Sequence, residues 1–476
     1  MQSRQRLRPA VHPGCGCPKA AVRSERSPHV LMRFSSFRTR TSVSRLRRFS
    51  FERCSSLPWR LAGIPVVSSP SSPSFSLSTA SFADPFAEEF GEFTSAVNTL
   101  ADALAATAAQ RDRAGGTALA ERRLLRESGL LALAIPRAFG GLEAGWPLIF
   151  RAIRRLAQAD SSLAHLFGFQ HLQVASVLLF GSAAQQARYL GSAVEHRWFW
   201  GNAVNARDTR LAAVRTADGL EIDGTKAFCS GATDSDVLNI SVVLGRDPTD
   251  RVFAVVPTSR AGIRVHDDWD NMGQRQTDSG SVSFERVRIA HDEVLGPPGV
   301  ASSPRATLRN LIGQVVLTEI YLGNALGALR AAIDYLRTQT QPWPMAGVER
   351  SQDDRLLQLR AGEMWSALQA ATALSNHANA RFQQAWDRGA ALTAEERAAL
   401  AIDVASARTQ AARTALHVTS QIFELVGARA TASRHGFDRY WRNVRVHTLH
   451  DPLDYRHQGI GAWLLAGDVP NPHGYG

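Results

Sequence analysis

The stretch GLEIDGTKAFCSGA, residues 219–232, decides the fold, because it marks where the chain changes from helical to β patterning. Apolar and polar residues alternate around the dipeptide Asp223–Gly224, and this pattern predicts a β-hairpin that turns there. Two β-branched runs follow, VLNISVVLG (237–245) and RVFAVVP (251–257), each bounded by turn residues. Residues 198–297 are therefore predicted to form a middle β domain.

Ala- and Leu-rich segments with a 3.6-residue period lie on both sides of this β region. Residues 84–197 are predicted to form an N-terminal helical domain, which the breaker-rich loop AIPRAFGG (134–141) interrupts. Residues 298–476 are predicted to form a C-terminal domain whose long Ala-rich helices pack as a four-helix bundle. The predicted fold class is α+β, mainly α.

Basic residues are concentrated in the first part of the chain. Residues 1–60 carry a net charge of +12, whereas the whole chain carries +11, so the body is close to neutral and nucleic acid is not an expected partner. Residues 1–83 have a disordered composition. We interpret them as a dispensable tail or as an extension from a wrongly chosen start, with Met32 an alternative start, rather than as an organelle transit peptide.

Cysteine usage and hydropathy indicate the compartment. The body contains only Cys229, so disulfides are not expected to hold the fold, and a reducing, cytoplasmic location is predicted. No apolar run reaches the length of a membrane-spanning helix, so no membrane association is expected.

A second informative stretch is GFDRYWRNVRVHTLHDPLDY, residues 436–455, which reads as an amphipathic helix. Its apolar face consists of Phe437, Trp441 and Val444, and its polar stripe of Asn443, His447 and His450. Pro452 should stop the helix near Asp451. These groups can form a ligand site or a solvated helix end. No further ligand cluster accompanies them, so no metal is expected.

Several motifs, in the same order over about four-fifths of the chain, resemble the acyl-CoA dehydrogenase superfamily. They are AIPRAFGG, GLEIDGTKAFCSGA, LRAAIDYLRTQTQPW, QIFELVGARAT and GFDRYWRNVR. LAHLFGFQH, GTKAFCSGA, GARAT and WRNVRVHTLHDP are most similar to its flavin-dependent monooxygenases, typified by dibenzothiophene and dimethylsulfone monooxygenases. The resemblance implies the acyl-CoA dehydrogenase fold, with an N-terminal helical domain, a middle β-barrel domain and a C-terminal four-helix bundle, and a homotetramer.

The resemblance also implies a flavin site. Phe228 matches the aromatic residue that stacks on the ring, Ser230 matches the hydroxyl near N5, and Asn202 matches a further contact. Asn443 is expected beside the cofactor. Two arginines in regions that hold the cofactor of a neighbouring subunit, Arg337 and Arg429, suit the terminal phosphate dianion of FMN, which FAD lacks. The alternatives are an ordinary hairpin with a buried Phe, and surface arginines at helix ends.

The histidines carry the expected chemistry. The resemblance implies that His165 lies in the pocket over the flavin, with Phe169 replacing a tyrosine; His171 is a weaker candidate. We expect His450 to manage the proton, oriented by His447 and Asn443, while His165 helps to polarise the distal oxygen.

The predicted activity is therefore a two-component monooxygenase. It receives reduced FMN from a separate reductase, forms a C4a-hydroperoxyflavin and oxygenates an organosulfur or similar small apolar substrate. One alternative is an FAD-dependent acyl-CoA dehydrogenase with Asp451 or Glu319 as its base, although Leu317 is apolar where the family has another base position. The other alternative is a non-catalytic scaffold of the same fold.

Overall fold

The computed structural model describes residues 84–205, 207–245, 250–297 and 299–472. The basic segment 1–83 lies outside the described residues, so the interpretations of it stay predictions. Helices precede and follow a β region, which is the order that the sequence predicts. The domain boundaries after residues 197 and 297 stay predictions.

The helices and strands are numbered in chain order. The helices are α1 (Thr94–Ala114), α2 (Leu119–Glu127), α3 (Trp146–Ala159), α4 (Ser161–Phe180), α5 (Ala183–Glu195), α6 (Leu308–Gln339), α7 (Arg355–Asp387), α8 (Ala394–Gln421), α9 (Phe423–Val426), α10 (Asp438–Thr448) and α11 (Leu453–Ala466). The strands are β1 (Trp200–Ala203), β2 (Leu211–Thr216), β3 (Gly219–Lys226), β4 (Val237–Val243), β5 (Arg251–Pro257), β6 (Ile263–Val265), β7 (Val282–Ala290) and β8 (Val294–Leu295).

Helix α6 is the central element of the helical part, and it packs against α3, α4, α7 and α8. Its glycines allow the closest approach to α3. A Cβ added at Gly323 would lie 2.1 Å from the carbonyl oxygen of Arg154, and one at Gly327 would lie 2.1 Å from that of Gln158. The two backbones therefore approach more closely than a residue with a Cβ would permit. Helices α4 and α10 also pack along α6.

The β region consists of two four-stranded sheets, with strand orders β1-β4-β5-β8 and β2-β3-β7-β6. β1 and β4 pair in parallel and the other neighbours are antiparallel. The hairpin predicted at Asp223–Gly224 is wrong. β3 runs through these residues with a bulge, and the turn lies at residues 217–218, between β2 and β3. Gly224 has φ +126°, and a Cβ there would lie 2.1 Å from the Arg210 carbonyl oxygen, so this glycine serves the bulge.

Helix α10 differs in two details from the sequence prediction. It ends at Thr448 rather than near Asp451, and Pro452 is instead the N-cap residue of α11. Trp441 is 37% exposed, whereas Asn443 and His447 are buried, so the buried face includes the polar stripe. The polar stripe is buried because it packs against other groups of the protein. A pattern of apolar residues alone cannot reveal such packing.

Helices α4 and α6 contain windows long and apolar enough to cross a membrane, contrary to the expectation that no run reaches that length. These windows are 83% and 94% buried inside the protein, as in the core helices of a folded domain.

Candidate functional site

His165 lies where helix α4 meets the β region. The side chain of Asp160 caps α4 by accepting hydrogen bonds from the backbone N–H groups of Ser162 and Leu163. The His165 ring is 6% exposed, stacks on Phe169 at a centroid distance of 4.0 Å, and has Nε2 2.9 Å from Ser230 Oγ. The structure thus brings together two residues that the sequence analysis named separately.

Helix α10 contributes a second imidazole to this position. The ring centroids of His165 and His447 are 4.9 Å apart, and His447 is buried. Tyr321 on α6 donates a hydrogen bond to the carbonyl oxygen of His447, at 3.0 Å. His450 follows the end of α10, is exposed to solvent, and interacts electrostatically with both other imidazoles.

All three imidazoles are held neutral. Burial, with a smaller effect of His450, lowers the pKa of His165 to about 3. Burial and then the neighbouring His165, His450 and Arg408 lower the pKa of His447 well below its ordinary value. For His450, loss of hydration and Arg408 lower the pKa to about 4, although Asp451 opposes the shift. Since His450 is exposed, solvent screens its charges, and the buried rings are the more strongly constrained pair.

The remaining flavin-site candidates from the β region lie next to Ser230. The backbone N–H of Asn202 donates to the Ser230 carbonyl oxygen at 3.1 Å, and both side chains are buried. Phe228 is 59% exposed, has φ +59° and touches Trp269 edge to face. A left-handed, exposed phenyl ring is not the buried core residue of an ordinary hairpin, and its face remains available for stacking.

Asn443, which is expected beside the cofactor, makes a contact within the protein, and its cofactor role stays a prediction. Its Oδ1 accepts a 2.6 Å hydrogen bond from the backbone N–H of Gln274, whose side chain also donates to Ser161 Oγ. Asn443 therefore ties α10 to the loop that precedes β7. This contact occupies its side-chain oxygen.

The carboxylate of Asp451, which follows His450 in the chain, is bound by two arginines. Asp451 Oδ2 accepts from Arg408 at 3.1 Å and from Arg456 at 2.7 Å, and all three side chains are largely buried. Burial alone would raise the pKa of Asp451, but the two arginines together lower it below its ordinary value. Its charge is therefore bound in ion pairs.

Glu319 is also held in a network of its own. Its Oε1 accepts from Ser375 Oγ at 2.7 Å and from Asn379 Nδ2 at 2.6 Å, and Oε2 lies 3.4 Å from Arg154. Burial raises the pKa of Glu319, and these partners oppose the shift. Leu317 is buried and apolar.

The two arginines expected to hold a phosphate lie on the surface. Arg337 is in the last turn of α6 and Arg429 follows α9, and both side chains are exposed. Within the single chain they do not join the histidines. His171 is fully buried, and its ring contacts Phe167 rather than one of the other imidazoles. Neither of its ring nitrogens has a partner among the residues that the structure describes.

Several residues of the site were missed by the sequence analysis. Gln173 donates to Asn202 Oδ1 at 3.2 Å, and Arg309 approaches Gln173 Oε1 at 3.3 Å and Ser176 Oγ at 2.6 Å. Ser279 Oγ lies 2.7 Å from Ser230 Oγ. The sequence of this loop, GQRQTDSGS (273–281), has the polar, glycine-containing composition of an ordinary connection, so it gave no signal that these residues join the site.

The arrangement fits a ligand that brings its own hydrogen-bonding groups. Nδ1 of His165 and Nδ1 of His447 are buried and have no partner in the part of the chain that the structure describes. Such atoms are rare in proteins unless a ligand or water satisfies them. A planar flavin with ring N–H and carbonyl groups satisfies this requirement. Among the described residues, no group of three His, Cys, Asp or Glu side chains could hold a metal ion.

Comparison with known proteins matches most of the described chain. The profiles of the acyl-CoA dehydrogenase N-terminal, middle and C-terminal domains match residues 87–197, 201–287 and 315–455. A probable FMNH2-dependent monooxygenase of Pseudomonas putida is 45% identical over 376 residues, which are 79% of this chain and 95% of the relative.

Two solved structures are similar at the same level. Methanesulfinate monooxygenase of Pseudomonas fluorescens is 43% identical with a TM-score of 0.78, over 80% of this chain and 99% of that one. The FMN-bound dibenzothiophene monooxygenase of Paenibacillus sp. A11-2 is 43% identical with a TM-score of 0.77, again over 80% and 99%.

Proposed function

The chain belongs to the acyl-CoA dehydrogenase family and is an FMNH2-dependent monooxygenase within it, and we propose that its neutral imidazoles manage the protons of organosulfur oxygenation. The carrying observation is the contact of His165 with both Ser230 and His447, while the two carboxylates considered as bases, Asp451 and Glu319, are held in ion pairs.

Bound reduced FMN supplies two electrons, by which O2 yields one oxygen atom for the substrate sulfur and one water. The chain's own residues bind, orient and exclude water. Phe228 offers its ring face for stacking, and Ser230 and Asn202 offer polar groups beside it. Phe169 covers one face of His165, which reduces the water available around the reacting oxygen.

His450 is the proposed proton carrier. It is the accessible member of the three imidazoles, so it can exchange a proton with solvent, whereas His165 and His447 are buried. An imidazole is the side chain whose ordinary pKa best suits proton exchange near neutral pH, and solvent at the exposed ring opposes the lowering of that pKa. His447 contacts His165 and, through its carbonyl oxygen, Tyr321, which supports a role in orienting the group.

Acyl-CoA dehydrogenation is the less well supported alternative. It needs a carboxylate that can take an acidic α-proton from the substrate. Asp451 is bound by two arginines, and Glu319 by Arg154, Ser375 and Asn379, so neither is free to act.

The partners follow from this chemistry. A separate flavin reductase supplies FMNH2, and the substrate is a small molecule. We further propose a homotetramer in which Arg337 and Arg429 hold the FMN phosphate of a neighbouring subunit, since both are exposed in the single chain. Helix α11 has no buried residue although it carries Trp463 and Leu465, and such an uncovered apolar helix suits a subunit interface. A cytoplasmic location is consistent with the buried free thiol of Cys229.

The activity is tested by single turnover. The full chain is mixed anaerobically with photoreduced FMN, then with O2 and either dibenzothiophene or methanesulfinate. We expect sulfoxide from the first probe or sulfonate from the second, in amounts approaching one per FMNH2. Recovery of all electrons as H2O2 with both probes would contradict the proposal. So would bound FAD that acyl-CoA reduces, while failure to bind any flavin would indicate a scaffold.

The assembly has its own measurement. Light scattering after size-exclusion chromatography is expected to give about four times the chain mass, and Leu465→Glu should lower it. A monomer at micromolar concentration contradicts the proposed tetramer without affecting the chemistry within one chain.

A further inference from the structure

A continuous row of hydroxyl groups runs from His165 into the loop before β7. His165 Nε2 is 2.9 Å from Ser230 Oγ, which is 2.7 Å from Ser279 Oγ, which is 2.7 Å from Thr277 Oγ1. Thr277 Oγ1 lies 2.9 Å from the carbonyl oxygen of Gln274. All of these side chains are at least nine-tenths buried.

The last contact sets the direction of the whole row. A carbonyl oxygen can only accept, so the hydrogen between it and Thr277 Oγ1 must be that of the hydroxyl. The same carbonyl also accepts from Trp269 Nε1 and from the backbone N–H of Thr277. The Thr277 hydroxyl must still donate to this carbonyl oxygen, because two oxygen atoms 2.9 Å apart with no hydrogen between them repel each other.

Each hydroxyl has one hydrogen, so the direction propagates back to the imidazole. Thr277 uses its hydrogen on Gln274, so Ser279 must donate to Thr277. Ser230 must in turn donate to Ser279, and it can then only accept from His165. The neutral ring of His165 therefore carries its hydrogen on Nε2, and its Nδ1 is a bare acceptor.

Backbone contacts hold the row in register. On either side of Ser230, the N–H of Cys229 donates to the Gly280 carbonyl oxygen at 2.9 Å, and the N–H of Gly231 donates to that of Thr277 at 3.0 Å. The loop is further tied by Asn443 to Gln274, and by an ion pair between Arg122 and Asp278. Gln274 and Asp278 have φ +55° and +43°, so these contacts hold the loop in a backbone conformation that non-glycine residues rarely adopt.

We propose that Thr277 and Ser279 are positioning residues that hold His165 in its Nε2–H tautomer, so that the buried Nδ1 accepts a hydrogen from an N–H or O–H group of the bound ligand. The unpartnered Nδ1 is the second observation that points to a ligand. The identity of that ligand as reduced FMN or its bound oxygen rests on the proposed function. The assignment of the His165 tautomer is independent of the proposed function.

The tautomer is measured directly in the FMN-free full chain labelled with ¹⁵N-histidine. Long-range ¹H–¹⁵N correlations distinguish protonated from bare ring nitrogens, and the His165 signal is assigned by its loss in His165→Gln. Wild type is expected to show the Nε2–H form in at least about tenfold excess. Thr277→Val keeps the shape and removes the hydroxyl, and because a neutral hydrogen bond corresponds to about a fivefold preference, both tautomers should appear in comparable amounts.

Matched variants separate this role from a loss of packing. Thr277→Ser restores the hydroxyl and should restore the wild-type spectrum. Ser281→Ala removes a hydroxyl of the same loop that contacts Asp268 outside the row, and it should leave the signal unchanged. Should Thr277→Val not fold, Ser279→Ala interrupts the row one step earlier. An Nδ1–H ring in wild type, or an unchanged Nε2–H ring in the hydroxyl-free variant, overturns the inference.

FMN binding distinguishes this inference from the proposed function. The Kd for FMN is expected to rise about fivefold in Thr277→Val and to stay within twofold in Thr277→Ser. If wild type binds no FMN yet shows the Nε2–H ring, the proposed function fails and the tautomer assignment stands. If wild type binds FMN with an Nδ1–H ring, the inference alone fails.

Discussion

The molecule buries ionisable side chains in two different ways. The first is found near the start of α11 and in the middle of the bundle, and the second at the junction of α4 and α10. In the first two regions the carboxylates Asp451 and Glu319 are buried together with arginines. At the junction, within the described part of the chain, His165 and His447 are buried without an acidic partner, and Nδ1 of each ring is unpaired. In our proposal, these two carboxylates stabilise the fold, and the two neutral imidazoles at the junction meet a ligand.

The largest effect is expected from breaking the ion pairs of Asp451. Asp451→Asn leaves Arg408, which is fully buried, without its compensating charge, and such losses cost about 3–5 kcal/mol of unfolding free energy. Urea denaturation at pH 7.5 measures the change. Asp102→Asn is the control, because the Asp102 side chain is 74% exposed in its pair with Arg155 and the pair should be worth less than about 1 kcal/mol. Equal losses in both variants would show that burial does not distinguish these pairs.

The next largest effect is expected from replacing an imidazole of the proposed site. His450→Phe should lower the rate of product formation in single turnover about 100-fold, in line with loss of a general acid–base group, and H2O2 should appear instead. His196→Phe, at the exposed end of α5, is the control and should stay within twofold. An undiminished product yield in His450→Phe would remove this imidazole from the proposed mechanism.

A pH effect follows from the buried imidazoles. Burial lowers the pKa of His171 to about 3 from an ordinary value of 6.5. Between these values the unfolded chain binds a proton that the folded chain does not. Stability is therefore complete above pH 6.5 and falls with decreasing pH, by about 1.4 kcal/mol per pH unit for each such group.

His171→Leu removes one of these groups and should flatten the loss of stability below pH 6.5. Relative to wild type, its unfolding free energy should gain about 2 kcal/mol between pH 6.5 and pH 5. Urea midpoints at pH 8, 6.5 and 5 provide the measurement. Parallel curves for the two proteins would mean that His171 does not titrate as its burial requires.

The smallest effect concerns the support behind Asn202. Gln173→Met removes the hydrogen bond to Asn202 Oδ1 while keeping side-chain length, and the Kd for FMN should rise about fivefold. Gln186→Met is the matched control, since its amide bonds to the Gly181 carbonyl oxygen near the start of α5. If both variants bind FMN like wild type, the link from Gln173 does not contribute to the site.

Local patterns were sufficient to predict the order of helices and strands. Family motifs named His165, Ser230 and His447, which the structure brings together, while their roles stay predictions. They failed where a distant backbone decides the outcome. The dipeptide Asp223–Gly224 favours a turn by its own chemistry, yet it forms a bulge because β7 pairs along β3. No local signal at Trp441 indicates that its ring stays partly exposed while Phe437 and Val444, on the same face of α10, are buried.

The roles of the polar residues were harder to predict for the same reason. Asp451 became a candidate base because it falls where the related dehydrogenases have their carboxylate base, but its state depends on Arg408, 43 residues earlier on α8. Ser279 lies 49 residues from Ser230, and Asn443 is 169 residues from Gln274. Such pairings form only when the folded helices and sheets bring them together, and a single sequence does not record them.

The most direct test compares one imidazole with one carboxylate in the same assay. Single-turnover product per FMNH2 is measured for folded wild type, His450→Phe and Glu319→Gln, the last of which keeps the shape of a side chain bonded to Ser375 and Asn379. We predict that Glu319→Gln forms product within about twofold of wild type while His450→Phe loses about 100-fold. Full activity in His450→Phe together with loss in Glu319→Gln would contradict the account.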